Sequence, residues 1–266
     1  MATYVFSDVH GHIAPLDRML ARVSPGDGDR VICLGDMVDR GPDPVGVIGL
    51  VRSIPNATVL LGNHEDLMLA FYDDPTDTMA VLNWGINDCQ ITVEGMQNLS
   101  EDEREDLLAW MRGLSRWTGV TVGERTYVCA HAGIRPFEIE GALEWSPETV
   151  EHLMGMQVDE DLVWIREEFW GFPTGLVDAE GNGPIVIAGH TPTFYLDGMV
   201  SQMDRSPRGD DGLCRMVRVG ACEATGGVAD KWAIDCGCAG GHGIGQLLML
   251  RLDDGEEFYE PVREGE

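Results

Sequence analysis

Five short segments of this chain place carboxylate, imidazole, amide or guanidinium groups directly after apolar runs. They span residues 7–11, 35–41, 62–65, 131–133 and 189–191, and they contain Asp8, His10, Asp36, Asp39, Arg40, Asn63, His64, His131 and His190. A lone Asp-Arg pair is usually a surface ion pair, and a lone histidine there is usually a hydrogen-bonded loop residue. Five such segments in succession favour a shared site, because Asp, His and Asn are ligand types that divalent metals use. The pattern predicts a centre that binds two metal ions.

The apolar runs before these segments have the composition of buried strands. They span residues 4–6, 31–34, 58–61, 126–130 and 184–188. Residues 13–23 and 44–51 carry apolar side chains at helical spacing between the first three strands. This alternation predicts a layered α/β fold with helices covering the sheet, and the polar segments should meet at the carboxyl ends of the strands.

The rest of the chain is expected to form a single domain over residues 1–266, because no linker or repeat divides it. Residues 66–117 read as a helical insert that walls the pocket, with a helix at 101–111 capped by Ser100 and Glu103. A loop and hairpin region is expected at about 193–230, followed by closing strands at 232–235 and 246–252. The acidic tail, residues 253–266, is expected to be solvated surface.

Composition narrows the classes of function. The formal charge of -28 and pI near 4.3 disfavour general binding to nucleic acid or to an anionic membrane. A mid-sized chain with seven cysteines, no secretory h-region and no bilayer-length apolar run is expected to be cytoplasmic and without a disulfide framework. A zinc site formed by Cys236 and Cys238 with Cys214, Cys222 and His242 is an alternative, but the spacing matches no usual zinc motif and these cysteines read as core residues.

The predicted ligands suit Mn²⁺, Fe or Zn²⁺, because they combine oxygen and imidazole donors without thiolate. Two such ions, about 3.5 to 4 Å apart, can hold a hydroxide between them and clamp a phosphate oxygen. Asp36, on the central strand, would bridge them. Arg40 and Arg166 could make forked contacts with phosphate, while Asp39 could orient His64 as the proton donor. The alternative reading of Arg166 is a solvated helix residue.

In these five segments the chain resembles the calcineurin-like metallophosphoesterases, and in particular their phosphoprotein phosphatase branch. That branch includes bacterial and phage serine/threonine phosphatases and the related symmetrical diadenosine tetraphosphatases. The resemblance implies a β-sandwich of two mixed sheets flanked by helices, with a dimetal site at strand ends. It extends over nearly the whole chain, because residues 232–254 also look like the family's closing segment.

The resemblance also implies roles. Asp8 and His10 would bind the first metal, Asp36 would bridge, and Asn63, His131 and His190 would bind the second. Arg40 and Arg166, with Asn63 and His64, would hold the substrate phosphate, and His64 with Asp39 would be the catalytic acid pair. Arg166 is placed by a Trp-x-Arg pattern that is shorter than the other motifs. Both ions are expected to be Mn²⁺, with Fe or Zn²⁺ as alternatives.

These motifs leave the substrate open. The first expectation is a phosphomonoesterase acting on phosphoserine or phosphothreonine in proteins, with phosphotyrosine as a further option. The alternative is a hydrolase of diadenosine tetraphosphate or another nucleotide pyrophosphate, which the low Lys and Arg content disfavours for a long polyphosphate. A non-catalytic scaffold would lack a ligand or His64, and none is missing. The expected partner is thus a phosphorylated protein, peptide or small molecule, rather than nucleic acid or membrane, and the oligomeric state is open.

Overall fold

The computed structural model describes residues 1–139 and 143–266. In chain order its elements are β1 (Thr3–Phe6), α1 (Ile13–Val23), β2 (Arg30–Cys33), α2 (Pro44–Arg52), β3 (Ala57–Val59), α3 (Asn63–Asp73), α4 (Thr78–Gly85), α5 (Gln90–Gln97), α6 (Glu101–Arg112), β4 (Trp117–Val122), β5 (Arg125–Ala130), α7 (Pro147–Met154), α8 (Asp159–Trp164), α9 (Glu167–Gly171), β6 (Ile185–Ala188), β7 (Val217–Val219), β8 (Lys231–Ala233), β9 (Gln246–Arg251) and β10 (Glu257–Pro261). Short 3₁₀ turns lie at Thr193–Tyr195, Glu223–Thr225 and Cys238–Gly240.

The strands form two mixed sheets of five. One sheet has the order β10-β9-β1-β2-β3, in which β1, β2 and β3 are parallel, β9 is antiparallel to β1, and β10 is antiparallel to β9. The other has the order β4-β5-β6-β8-β7, in which β5, β6 and β8 are parallel. The prediction of two mixed sheets flanked by helices is confirmed.

Successive side chains of a strand point to opposite faces of its sheet, and this explains how each sheet packs against the other sheet on one face and against helices on the other. In β1, Val5 points into a cluster shared by both sheets, which includes Ile32 and Ile187. Its neighbours Tyr4 and Phe6 point the other way, into the cluster formed with the apolar faces of the helices. Because side chains alternate between the faces of a strand, a strand buried on both faces reads as a continuous apolar run.

The helical stretch expected at 66–117 is occupied by α3, α4, α5 and α6. The predicted capping box before α6 is confirmed, with Ser100 and Glu103 each bonding the other's backbone amide. No helix in the ranges above is both long and apolar enough to span a bilayer.

The expectation of a wholly solvated tail is wrong for Glu257–Pro261. These residues form β10, which pairs antiparallel with β9, and Phe258 packs against the core cluster. Arg18 on α1 further holds the chain end through Glu260 and Glu266. The acidic composition of this segment did not indicate a strand, because one face of an edge strand can remain polar while the other packs on the core.

Candidate active site

The predicted polar segments meet where strands of both sheets end. Two groups of side chains place their ligand atoms within 4.8 Å of one another, and both contain Asp36; they are His10-Asp36-His64 and Asp36-His131-His190. Asp8 joins the two sheets, because its carboxylate accepts the backbone N–H of His190 at 3.0 and 3.1 Å. Asn63 begins α3 beside His131 and His190. All six predicted ligands are thus buried together in one place.

The loops that carry them are conformationally strained. Asp8, His10, Asp36, Asp39, Arg40 and His190 all have positive φ, between 45° and 70°. Each such backbone costs about 1 to 2 kcal/mol in a residue with a Cβ. The loops are held by hydrogen bonds between them, including His10 N–H to the Asp36 carbonyl at 2.9 Å. Strain concentrated on these six residues is typical of a functional site.

The donor set around Asn63 fits a cation. His131 Nδ1 lies 2.9 Å from the carbonyl oxygen of Leu34, so this nitrogen carries the ring proton and Nε2 presents a lone pair. That lone pair faces Asn63 Oδ1 at 2.9 Å and Asp36 Oδ2 at 3.5 Å. Three acceptor atoms converge with no proton between His131 and Asn63, an arrangement that a divalent ion would stabilise. His10 is held in the same tautomer by the carbonyl of Val38 at 3.0 Å.

Burial prepares these groups to act as ligands. It lowers the pKa of His10, His131 and His190, so the rings are neutral and each keeps one lone pair. The lone pair of His131 faces Asn63, while those of His10 and His190 accept from Arg40 and Arg166 in this structure. Burial raises the pKa of Asp36, with His64 opposing the rise and Glu65 and Asp8 adding to it. Buried carboxylates are therefore close together here, an arrangement that a bound cation would stabilise.

Both predicted arginines reach the site. Arg40 donates to His10 Nε2 at 3.2 Å and to His64 Nε2 at 2.9 Å. Arg166 donates from Nε to His190 Nε2 at 2.9 Å, and it lies between α8 and α9 rather than within a helix. Arg166 is therefore not within a helix, and its side chain is exposed at the edge of the site.

His64 is oriented by Asp39 through a contact of 2.6 Å from Nδ1 to Oδ2. The fully buried Asp39 carboxylate also accepts the indole N–H of Trp84 at 3.0 Å and the hydroxyl of Thr92 at 2.6 Å. Trp84 and Thr92 belong to α4 and α5, so the helical insert supports the acid pair directly. Sequence reasoning assigned no role to Trp84 or Thr92.

Glu65 is a third residue to which the sequence motifs assign no role. Its buried carboxylate accepts the backbone N–H groups of Asp36, Met37 and Val38 at 2.8, 2.7 and 3.2 Å, and that of Gly62 at 3.0 Å. Glu65 thus fixes the loop that presents Asp36. The 62–65 motif marked this residue, but only the fold shows which amides it binds.

Replacing Glu65 by glutamine is expected to lower the free energy of unfolding by about 2 to 4 kcal/mol. The amide NH₂ would face backbone N–H groups, leaving buried donors opposed. Urea unfolding of the two proteins tests this. Glu103→Gln, in the exposed capping box of α6, is the matched control and should cost no more than about 1 kcal/mol. Equal losses in the two variants would contradict the role of Glu65.

Comparison with known proteins shows the family of the chain. A sequence model of the calcineurin-like phosphoesterases matches residues 1–218. The chain belongs to the calcineurin-like phosphoesterase family. It is therefore a phosphoester hydrolase, as its metal-ligand motifs predicted.

The relatives of this calcineurin-like phosphoesterase include enzymes named as symmetrical bis(5'-nucleosyl)-tetraphosphatases. The one from Serratia proteamaculans is 27% identical over 98% of this chain and 95% of its own. A solved structure of a candidate diadenosine tetraphosphatase aligns with TM-score 0.57 and 17% identity, over 99% of this chain and 95% of that one. A serine/threonine phosphatase from Saccharomyces cerevisiae aligns with TM-score 0.52 and 13% identity, over 100% and 81%. The two structures show the shared fold.

A groove of about 730 Å³ opens beside the site of this phosphoesterase. One wall reaches the site through Trp164, whose ring centroid lies 5.8 Å from that of His190. The groove is lined by Asp66, Leu67, Ala70, Asn83, Ile86, Asn87, Arg116, Asp159, Glu160, Val163 and Trp164. Arg116 lies 3.4 Å from both Asp66 and Asp159, so carboxylates outnumber cations in the groove. Residues of α3 and α4, in the segment 66–117, line part of this groove.

The cysteines considered as zinc ligands lie elsewhere in the phosphoesterase fold. Cys214 and Cys236 are buried in the cluster between the sheets, and Cys238 is buried in the cluster that also contains Tyr4 and Phe6. Cys222 is exposed. Burial raises the pKa of Cys236 and Cys238, which favours thiols over the thiolates that zinc requires. These cysteines behave as small apolar residues.

Proposed function

We propose that this phosphoesterase binds two divalent ions, Mn²⁺ foremost, at the six converging side chains. Asp8, His10 and Asp36 would hold one ion, and Asp36, Asn63, His131 and His190 the other. The single observation that carries this is the convergence of acceptor atoms from His131, Asn63 and Asp36. Bound ions would supply Lewis acidity and make water nucleophilic near neutral pH.

The protein's own residues would do the remaining work. Arg40 and Arg166 would grip the nonbridging oxygens of the reacting phosphoryl group with forked hydrogen bonds. His64, held at Nδ1 by Asp39, would carry a proton at Nε2 once Arg40 turns from it to the phosphate, and would give that proton to the leaving oxygen. The ligands, Asp39 and His64 are buried, so bulk water does not screen the contacts among them.

For the substrate, we propose a symmetrical dinucleoside tetraphosphate. The support is the alignment of relatives with that name across nearly the whole of both chains, insert included. This replaces the protein phosphatase as the first choice, because the neighbours of that class share only the fold at 13% identity.

Incubation of the Mn²⁺-loaded protein with diadenosine tetraphosphate is expected to give ADP as the product. The kcat/KM should exceed that for phosphoserine peptides by about 100-fold, the scale on which a site built for one substrate rejects another. Product chromatography measures both reactions, and p-nitrophenyl phosphate serves as a general check of the dimetal site. Release of phosphate from peptides, with the dinucleotide left intact, would overturn this choice of substrate.

The groove favours a second candidate, a phosphopeptide with basic residues beside the phosphorylated one. Asp66, Asp159 and Glu160 would attract such residues and repel additional phosphates. In that case Glu160→Gln would weaken hydrolysis of arginine-flanked peptides while leaving p-nitrophenyl phosphate hydrolysis unchanged. Glu105→Gln, on the exposed face of α6, is the matched control.

A further inference from the structure

The chain contains one lysine, Lys231, and it is buried to 1% exposure at the start of β8. Its ammonium group donates to the carbonyl oxygens of Phe169 at 3.2 Å and of Phe172 at 2.5 Å. A buried ammonium is costly unless it is paired, and long polar side chains otherwise stay at the surface. On a chain whose other basic side chains are all arginines, this lysine therefore needs a structural reason.

The two carbonyls belong to the end of α9, the short helix that follows Arg166. α9 spans Glu167–Gly171, with Arg166 as its N-cap residue and Phe172 as its C-cap residue. The last carbonyls of a helix have no partner within it, and a cation there also complements the helix dipole. Lys231 thus closes the far end of the helix that begins at Arg166.

Asp230 extends this attachment. Its Oδ2 accepts the backbone N–H of Thr174 at 2.6 Å, and its Oδ1 lies 3.6 Å from the Lys231 ammonium. The pair Asp230-Lys231 therefore fastens the chain from Phe169 to Thr174 onto the second sheet. β8 is in register with β6, Lys231 opposite Val186, and His190 follows β6 directly.

α9 is also fitted against the loop of His131. A Cβ added to Gly133 would lie 2.4 Å from the ring of Phe169, which is fully buried. Gly133 has φ of +132°, so the loop approaches α9 in a conformation that a side chain would not permit. Phe169 of α9 is thus held by Lys231 at its carbonyl and by the His131 loop at its ring.

We propose that Lys231 is a positioning residue for Arg166. By fixing the end of α9, Lys231 holds the guanidinium of Arg166 beside His190. The inference rests on the phosphate-binding role of Arg166 under the proposed function. It is independent of which phosphorylated compound is the natural substrate, because Lys231 acts on the cradle for the reacting phosphoryl group.

The test uses two lysine variants, the single variant Lys231→Met and the double variant Asp230→Asn/Lys231→Met. Each is made in the wild type and in Arg166→Ala, and all proteins are assayed with Mn²⁺ bound. The double variant removes both charges together and so leaves no unpaired buried ion if the single variant folds poorly. Val219→Ala is the matched control, because Val219 is a buried neighbour of Lys231 in the same sheet and packs in the same core cluster as Phe169, but its side chain cannot donate to the carbonyls at the end of α9.

We expect both lysine variants to raise the inhibition constant of inorganic phosphate and the KM of p-nitrophenyl phosphate about tenfold, with a smaller change in kcat and unchanged metal content. Arg166→Ala should show a similar loss, and adding either lysine change to it should cause no further loss. Hydrogen exchange of the amides of residues 167–172 should be at least tenfold faster in the lysine variants, with β6 unchanged.

An equal loss in Val219→Ala, or additive losses in the Arg166→Ala background, would overturn the inference. If Arg166→Ala impairs phosphate binding and the lysine variants do not, the inference alone fails. If Arg166→Ala leaves phosphate binding intact, the proposed role of Arg166 fails and the positioning role of Lys231 fails with it.

Discussion

Replacing Asp36 by asparagine is expected to lower kcat/KM by on the order of 10³ to 10⁴, or about 4 to 5.5 kcal/mol of transition-state stabilisation. Asp36 belongs to both groups of potential metal ligands, so its loss would weaken both sites at once. The asparagine oxygen can still accept the backbone N–H of His64, as Asp36 Oδ1 does at 3.0 Å. The local fold should therefore survive while the bridging charge is lost.

Stability provides the second readout for Asp36→Asn. Added Mn²⁺ should raise the melting temperature of the wild type, because an ion that binds only the folded state stabilises it. The variant should lose most of this increase. Without metal, however, it should be at least as stable as the wild type, because the substitution removes a buried carboxylate whose pKa is raised by burial and by Glu65 and Asp8.

Elemental analysis, steady-state hydrolysis and thermal melts with and without Mn²⁺ measure these effects. Asp17→Asn, at an exposed position on α1, is the control and should match the wild type in all three. A variant of Asp36 that retained two ions and activity within tenfold of wild type would rule out the bridge.

The residues that sequence reasoning could find are those whose role is set by the strand next to them. A strand delivers the residue after it to the sheet edge, so Asp8, Asp36, His131 and His190 could be placed together before any contact was known. The capping box of Ser100 and Glu103 could also be predicted from sequence, because both partners lie within one helical turn.

The supports of the site depend on contacts that no local pattern contains. Trp84 and Thr92 bind Asp39 from 45 and 53 residues away, and Lys231 binds the carbonyl of Phe169 from 62 residues away. Trp84 and Thr92 are ordinary helix residues in sequence, and their polar atoms matter only because tertiary packing buries them beside a carboxylate. A lysine at the start of a strand likewise suggests surface, so its burial could not be foreseen.

The second large effect is expected for His64→Asn, and its size should depend on the leaving group. An alkoxide leaves poorly without a proton, so hydrolysis of phosphoserine or glycerol phosphate should fall by on the order of 10² to 10⁴. Nitrophenolate is stabilised by delocalisation, so p-nitrophenyl phosphate hydrolysis should fall by only about tenfold. Such a contrast would place His64 as the proton donor, since loss of a metal ligand would slow all substrates alike.

The measurement is the dependence of kcat/KM on leaving-group acidity across a series of aryl and alkyl phosphates, for wild type and variant. The slope should steepen in His64→Asn, because more negative charge then builds up on an unprotonated leaving oxygen. Asp39→Asn should steepen it in the same sense, since the carboxylate stabilises the protonated imidazole across the 2.6 Å contact. Parallel slopes for wild type and His64→Asn would remove His64 from the acid role and assign its contact with Arg40 to phosphate binding alone.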